Sequence, residues 1–225
     1  MRRLVLIVEG HYDGPALANI VNGIINRNHV EAFGELFVDP DAIRAGKLAS
    51  VSGVRGSLQW PRRLGQALGR GDLGGVLAVF DGDEVEFEGR PFCAVDAAHT
   101  LAERGAPAGA GATFSLGFVI LRQEFESLLI AAADQLPGYD GSPRPADPEA
   151  SPRGAKGWLI DHLEGGYKEA ADQLRLTRAV TDWVPVRETM RGFRRLEHAV
   201  GELVAAAAGG PHVATPAASP PPEAA

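Results

Sequence analysis

The sequence predicts an α/β protein: a mainly parallel sheet of Rossmann-like type flanked by helices, then a helical C-terminal extension. Three observations predict it. Short apolar runs rich in β-branched residues recur along the first 136 positions, and each is continuous rather than alternating, the pattern of strands buried on both faces. Segments of helical periodicity lie between those runs, as right-handed parallel crossovers require. Beyond residue 152 only helical patterns remain.

Leu4 to Val8 is the first strand, ended by Glu9-Gly10. Gly14-Pro15 opens a helix, with Pro15 suited to its first turn, and Leu17, Ile20, Val21, Ile24 and Ile25 repeat at helical spacing. Leu36-Phe37-Val38 is a second strand, and 39–57 reads as loop. Pro61 to Arg70 predicts a helix broken by Gly74-Gly75, with Arg62, Arg63 and Arg70 exposed. Val76 to Phe80 is a third strand, stopping at Asp81-Gly82-Asp83-Glu84. Cys93 to Arg104 predicts a helix with Val95, Ala98, Leu101 and Ala102 inward, and Cys93 as a small core residue. Phe114 to Leu121 is a fourth strand, with Glu124 to Ala133 the helix behind it.

Pro, Gly, Asp and Ser at 137–152 interrupt the pattern, and helices are expected at 158–164, 168–176 and 188–208. The expected organisation is an α/β core at 1–136, a helical extension packed on it at 137–208, and a disordered Ala/Pro tail at 209–225.

Composition narrows function. Of 225 residues 45% are hydrophobic and 23% charged, which excludes a chain disordered throughout. No apolar run approaches a membrane span, and the five-residue run after Arg3 is too short for a signal-peptide core, so a cytoplasmic protein is expected. Cys93 is the sole cysteine, which excludes an internal disulfide framework; the six histidines show no paired spacing, which argues against zinc. Gly53 to Gly56 lacks the Gly-Lys-Ser/Thr of a phosphate loop, so ATP hydrolysis by this chain is not expected. A net charge of -7 disfavours an autonomous nucleic-acid binder.

The chemistry concentrates in acidic groups that follow predicted strands. Glu9 closes the first, with Asp13 four residues on; Asp81 and Asp83 close the third; Glu124 and Glu126 follow the fourth. The carboxyl edge of an open parallel sheet is where ligands bind. Crowded carboxylates repel one another, and a hard divalent cation such as Mg2+ or Mn2+ relieves that repulsion while keeping several waters. One or two such ions support in-line attack on a phosphodiester. Each group taken alone has a plainer reading, as a turn or as acids at a helix start; their shared edge is what joins them. Basic residues also stand out. Arg44, Lys47, Arg55, Arg62, Arg63 and Arg70 cluster between the second and third strands, and Arg191, Arg194 and Arg195 fall in the last helix. Both groups read either as phosphate contacts or as solvated faces, and Arg62 and Arg63 are the candidates taken for nucleic acid.

Leu4 to Gly10 followed by a helix, then Leu77 to Asp83, resembles the TOPRIM fold, shared by topoisomerases, primases and OLD-type nucleases. The Glu9-x-x-x-Asp13 spacing is similar to the OLD-nuclease version. Val8-Glu9-Gly10, Gln123 to Leu129, Lys156 and Gly166-Tyr167-Lys168 resemble an uncharacterised TOPRIM-like family, domain of unknown function family 4276, over roughly residues 3 to 200. Members commonly read Glu-Gly-x-Thr-Glu near the start, where this chain has Glu9-Gly10-His11-Tyr12-Asp13, a shorter acid.

The resemblance implies that Glu9 is a metal ligand or general acid/base and that Asp81 and Asp83 are ligands. Asp13, Glu124 and Glu126 would be further ligands or would orient them. Lys156 would stabilise transition-state charge or the leaving group, against the plainer reading of a solvated lysine. It further implies a divalent-metal-dependent phosphodiesterase, nuclease-like, with nucleic acid as substrate, working with a separate ATPase protein in phage defence. The alternatives are a non-catalytic subunit of an ATPase complex and a metal-dependent small-molecule phosphatase or phosphotransferase.

Overall fold

The computed structural model describes residues 1–30, 34–48, 51, 53–149 and 154–216, apart from the side chains of 53–58. Six strands form one parallel sheet. In chain order the elements are β1 (Arg2–Val8), α1 (Asp13–Asn28), β2 (Leu36–Val38), β3 (Ile43–Arg44), α2 (Gly53–Leu68) and β4 (Leu73–Gly82). A two-stranded hairpin follows, β5 (Glu86–Phe87) with β6 (Arg90–Pro91), then α3 (Ala94–Glu103), β7 (Ser115–Arg122) and α4 (Ser127–Ala131). Helices α5 (Ala155–His162), α6 (Glu169–Ala179), α7 (Val184–Thr189) and α8 (Arg191–Ala207) precede the last strand, β8 (Ala214–Thr215).

The sheet order is β2-β1-β4-β7-β8, with β3 also on β1, so β1, β4 and β7 lie in the middle. Register is set by Val8 opposite Val79 and Val79 opposite Val119. Side chains alternate between two packed faces. Leu4, Leu6, Leu77, Val79, Val119 and Leu121 meet α1, α4, α6 and α8 on one side. Val5, Ile7, Val76, Phe80, Phe118 and Ile120 meet α2 and α3 on the other. That two-sided burial is what continuous apolar strands require. Phe80 and Phe118 stack at 5.3 Å, and the Trp60 indole N–H donates to the Leu101 carbonyl at 3.0 Å. The C-terminal helices therefore supply much of one covering layer of the sheet.

Several expectations are corrected. The segment 39–57 is not all loop: β3 pairs with the end of β1, and α2 starts at Gly53 and carries Pro61 in its interior. A proline costs one backbone donor there, and the helix is held by Trp60 and Leu64, which are buried. Glu124 and Glu126 precede α4 rather than lie within it, and the expected helix 188–208 is broken at Met190, whose backbone is extended. Cys93 is exposed, because it lies in extended backbone just before α3 rather than on the helix's inward face, and Val95 is also exposed.

The tail is structured at its start. Ala214 and Thr215 pair with Leu116 and Gly117, and Leu116 N–H donates to Val213 O at 2.8 Å. The outer edge of β7 offers unpaired backbone groups, and pairing them needs no apolar side chain. Residues 217–225 of that expected tail, and the Arg55 side chain, lie outside the described residues. Among the described residues no helix is long and apolar enough to cross a membrane.

Candidate functional site

The acidic groups fall at one edge of the sheet. Glu9 follows β1, Asp81 lies in the last turn of the β4 ladder opposite Leu121, and Asp83 follows it. Gly82 between the two aspartates has no room for a side chain, because a Cβ would run into the Leu121 carbonyl. Its N–H donates to Gln123 O at 2.8 Å, extending the contact of β4 with β7 past the regular ladder. Gln123 itself has φ 69, a left-handed conformation that turns the chain out of β7 into Glu124-Phe125-Glu126.

Asp13, Asp81 and Glu126 are fixed by backbone or side-chain donors. Asp13 Oδ2 accepts the Gly10 N–H at 2.6 Å, closing the turn between β1 and α1. A side chain at Gly10 would come within 2.7 Å of that oxygen, so glycine permits the approach. Asp13 Oδ1 accepts from Gln173 Nε2 at 2.9 Å. Asp81 Oδ1 accepts the Phe125 N–H at 2.9 Å, tying β4 to the acidic segment after β7. Glu126 is buried, accepts from the Tyr167 hydroxyl at 3.0 Å and lies 3.7 Å from Lys156 Nζ. Lys156 Nζ also donates to Glu169 Oε2 at 3.0 Å.

Electrostatics couples these groups. Burial raises the Glu9 pKa to about 7, helped by the charges of Asp83 and Asp13 and opposed by Lys47 and the Asp81 backbone N–H. The Asp81 carboxyl is held well above its ordinary value by burial and then by Asp13, Glu9 and Glu126, with Lys156 opposing. Burial also raises Glu126 to about 7, against the pull of Lys156 and Tyr167. Burial works against the Lys156 charge, but Glu126 and Glu169 outweigh it and raise the ammonium pKa. Burial, then Glu126, pushes the Tyr167 hydroxyl up, so it stays a donor.

The sequence candidates thus divide. Glu9, Asp13, Asp81, Glu126 and Lys156 share one neighbourhood, and the charge of Asp83 acts on Glu9. Glu124 turns away: its Oε2 accepts the Ala155 N–H at 3.0 Å, at the first turn of α5. Lys156 is tied into carboxylates rather than solvated alone. Arg62 and Arg63 are the tenth and eleventh residues of α2, which runs away from the carboxyl edge, so they sit roughly 14 Å down it. Arg63 donates to Gln66 there, and Arg70 pairs with Asp39 beside Arg3 at the opposite end of the sheet. Lys47 is the basic residue of that group that the structure brings to Glu9, because Ala45 and Gly46 donate to the Val8 and Glu9 carbonyls.

Gln173 is the residue that sequence reasoning missed. It is buried on α6, and its Oε1 has no hydrogen-bond donor. The signal was a glutamine on the inward stripe with Leu176 and Thr177. A buried acceptor without a donor, on a residue bonded to Asp13, is a position that a water held by a hydrated cation would satisfy. Among the described residues no three His, Cys, Asp or Glu side chains are drawn in closely enough to hold an ion directly.

Comparison with known proteins gave no matching family model, no matching curated protein and no matching solved structure.

Proposed function

We propose that the protein is a divalent-metal-dependent phosphodiesterase of nuclease type, acting at the edge formed by Glu9, Asp81 and Asp83. One observation carries the reading: Glu9, Asp81 and Glu126, whose carboxyl pKa values burial raises, gather with Asp13, whose charge acts on the first two, at the ligand-binding edge of a parallel sheet, beside the orphan Gln173 Oε1. A bound Mg2+ or Mn2+ would supply charge neutralisation at a phosphoryl oxygen and a water of lowered pKa.

The chain's own groups have separable roles. Glu9, whose carboxyl pKa burial raises to about 7 without metal, is the group placed to take a proton from water as a general base. Asp81 and Asp83 carry the charge that attracts the cation, and Gly82 brings both to one turn. Asp13 is held by Gly10 and Gln173 and so orients its charge toward Asp81 without a mobile side chain. Lys156 offsets the buried Glu126 charge and places a cation beside the site.

The resemblance to OLD-type nucleases further supports a separate ATPase partner and a role in phage defence. The net charge of -7 is consistent with a partner supplying part of the cationic track for nucleic acid. A second reading, a non-catalytic subunit of such a complex, is favoured by the hydrogen bonds already engaging Asp13, Asp81 and Glu126.

The deciding experiment is cleavage of plasmid and oligonucleotide with Mg2+ or Mn2+, for the wild type and Asp81→Ala. Metal-dependent cleavage lost in the variant supports the enzyme. No cleavage by either, with partner binding unchanged, supports the subunit. Hydrolysis of a generic phosphomonoester without DNA cleavage would assign a small-molecule phosphatase instead.

A further inference from the structure

A second pocket opens beside the acidic edge, on the far side of Gly82. It has a volume of about 360 Å3, and Gly82, Gln123, Arg122, Arg191 and Arg195 are among the residues that line it. Gly82 separates Asp81 from Asp83, and Gln123 immediately precedes Glu124, so the pocket and the acidic site share one backbone border. Phe92 adds an apolar wall.

The charges in this pocket are unevenly satisfied. Glu149 is buried, but both its oxygens are engaged by the first N–H groups of α8: Arg191 N–H at 2.8 Å and Gly192 N–H at 2.6 Å. The helix end is thereby already capped, and it leaves the guanidinium groups without that carboxylate. Arg122 lies 3.8 Å from Asp147, the outer limit of an ion pair, with about half its side chain exposed. Arg191 and Arg195 are exposed, and among the described residues their side chains meet no acidic partner. Among the described residues, Glu84 is the one further carboxylate that lines the pocket. Three arginines thus line one polar pocket, and a planar guanidinium is the side-chain group best matched to a phosphate.

We infer that Arg122, Arg191 and Arg195 form a phosphate-binding pocket that holds a backbone phosphate of a single nucleic-acid strand next to the one at the acidic edge. The inference deepens the phosphodiesterase reading and rests on it for the ligand's identity. A monophosphate would occupy one site or the other, whereas a polynucleotide places successive phosphates along the sheet edge and uses both. The acidic edge repels the strand without metal, and the arginine pocket attracts it in all conditions. Substrate choice is thereby separated from chemistry. Arg62 and Arg63, on the lower part of α2, take no part.

The test is fluorescence anisotropy of a labelled single-stranded oligonucleotide titrated with the full chain in EDTA, at low and moderate salt. Wild type is expected to bind at low salt. Arg191→Gln with Arg195→Gln should weaken binding about tenfold or more and reduce the salt slope by about 0.7, the equivalent of one phosphate contact. Arg62→Gln with Arg63→Gln should change affinity less than twofold, and Asp81→Asn should not weaken it. If the first pair fails to fold by circular dichroism, Arg122→Gln with Arg195→Gln carries the same expectation. Binding by the pocket variant within twofold of wild type, or no binding by wild type at low salt, overturns the inference. Binding that depends on the pocket, with no cleavage under any metal, would refute the phosphodiesterase reading and leave the pocket standing.

Discussion

Gln173 donates its side-chain N–H to Asp13 at 2.9 Å, joining α6 to the turn after β1 across 160 positions of sequence. The contact makes the helical C-terminal part a component of the acidic site rather than a neighbour of it. Gln173→Ala removes a buried hydrogen bond to a carboxylate and should destabilise the protein by about 1–3 kcal/mol in urea unfolding. Gln173→Glu adds a further buried acid and should be worse at pH 8 than at pH 5. Equal effects at both pH values would contradict an anionic surrounding.

The metal-free protein should lose stability as pH rises from about 4.5 toward 7. Glu9 and Glu126 have folded pKa values of about 7, raised from 4.5, so the native state binds more protons than the unfolded state across that window. Asp81, shifted in the same direction, extends the decline upward. Below the window the sign reverses: burial opposes the Asp39 charge, but hydrogen bonds from Arg3, the Asp41 N–H and Arg70 lower its pKa, and that stability is lost on acidification. Maximal stability in EDTA is therefore expected near pH 5, with a loss on the order of 1–3 kcal/mol by pH 8. Denaturant melts across pH check it, and a flat profile between pH 5 and 8 would count against the clustered acids.

Divalent metal should reverse that loss. An ion bound only by the native state adds about 2.7 kcal/mol at a hundredfold excess over Kd, or roughly 5–10 °C in Tm for a chain of this size. The shift should be larger at pH 8 than at pH 5, where protons occupy the same carboxylates. Thermal scans with Mg2+ and Mn2+ measure it; no shift with either ion at any pH from 6 to 9 argues against a metal site.

Asp81→Asn should trade function for stability. The amide oxygen still accepts the Phe125 N–H, so the tie between β4 and the acidic segment survives while one charge is removed. The variant should melt a few degrees higher than wild type at pH 8 in EDTA, and lose both its metal-induced shift and its cleavage. A variant less stable than wild type would show that the carboxylate is wanted for its bonds and not tolerated for its charge.

Glu124 and Glu9 should respond differently to amide substitution. Glu124→Gln keeps an oxygen for the Ala155 N–H at the start of α5, so metal response and cleavage should persist. Glu9→Gln should abolish cleavage while raising stability at neutral pH. Loss of the metal shift in Glu124→Gln would return that residue to the ligands.

The sequence by itself determined the central sheet. Runs such as Leu4 to Val8 and Val76 to Phe80 are apolar on both faces, and only a strand covered on both sides satisfies them. It also determined that Glu9, Asp81 and Asp83 share an edge, because parallel strands all finish at the same side. Tertiary structure decided the rest. Whether Glu124 faces the site or caps α5 depends on where residue 155 returns, and no local pattern encodes that. Gln173 reaches Asp13, and Arg191 and Arg195 line one pocket with Gln123, only because α6 and α8 fold back onto β1, β4 and β7 through apolar contacts. Strand pairing of Ala214 and Thr215 was equally hidden, since it uses backbone groups that every residue but proline carries. Periodicity records which face of an element is buried; the packing of distant elements decides which polar side chains meet.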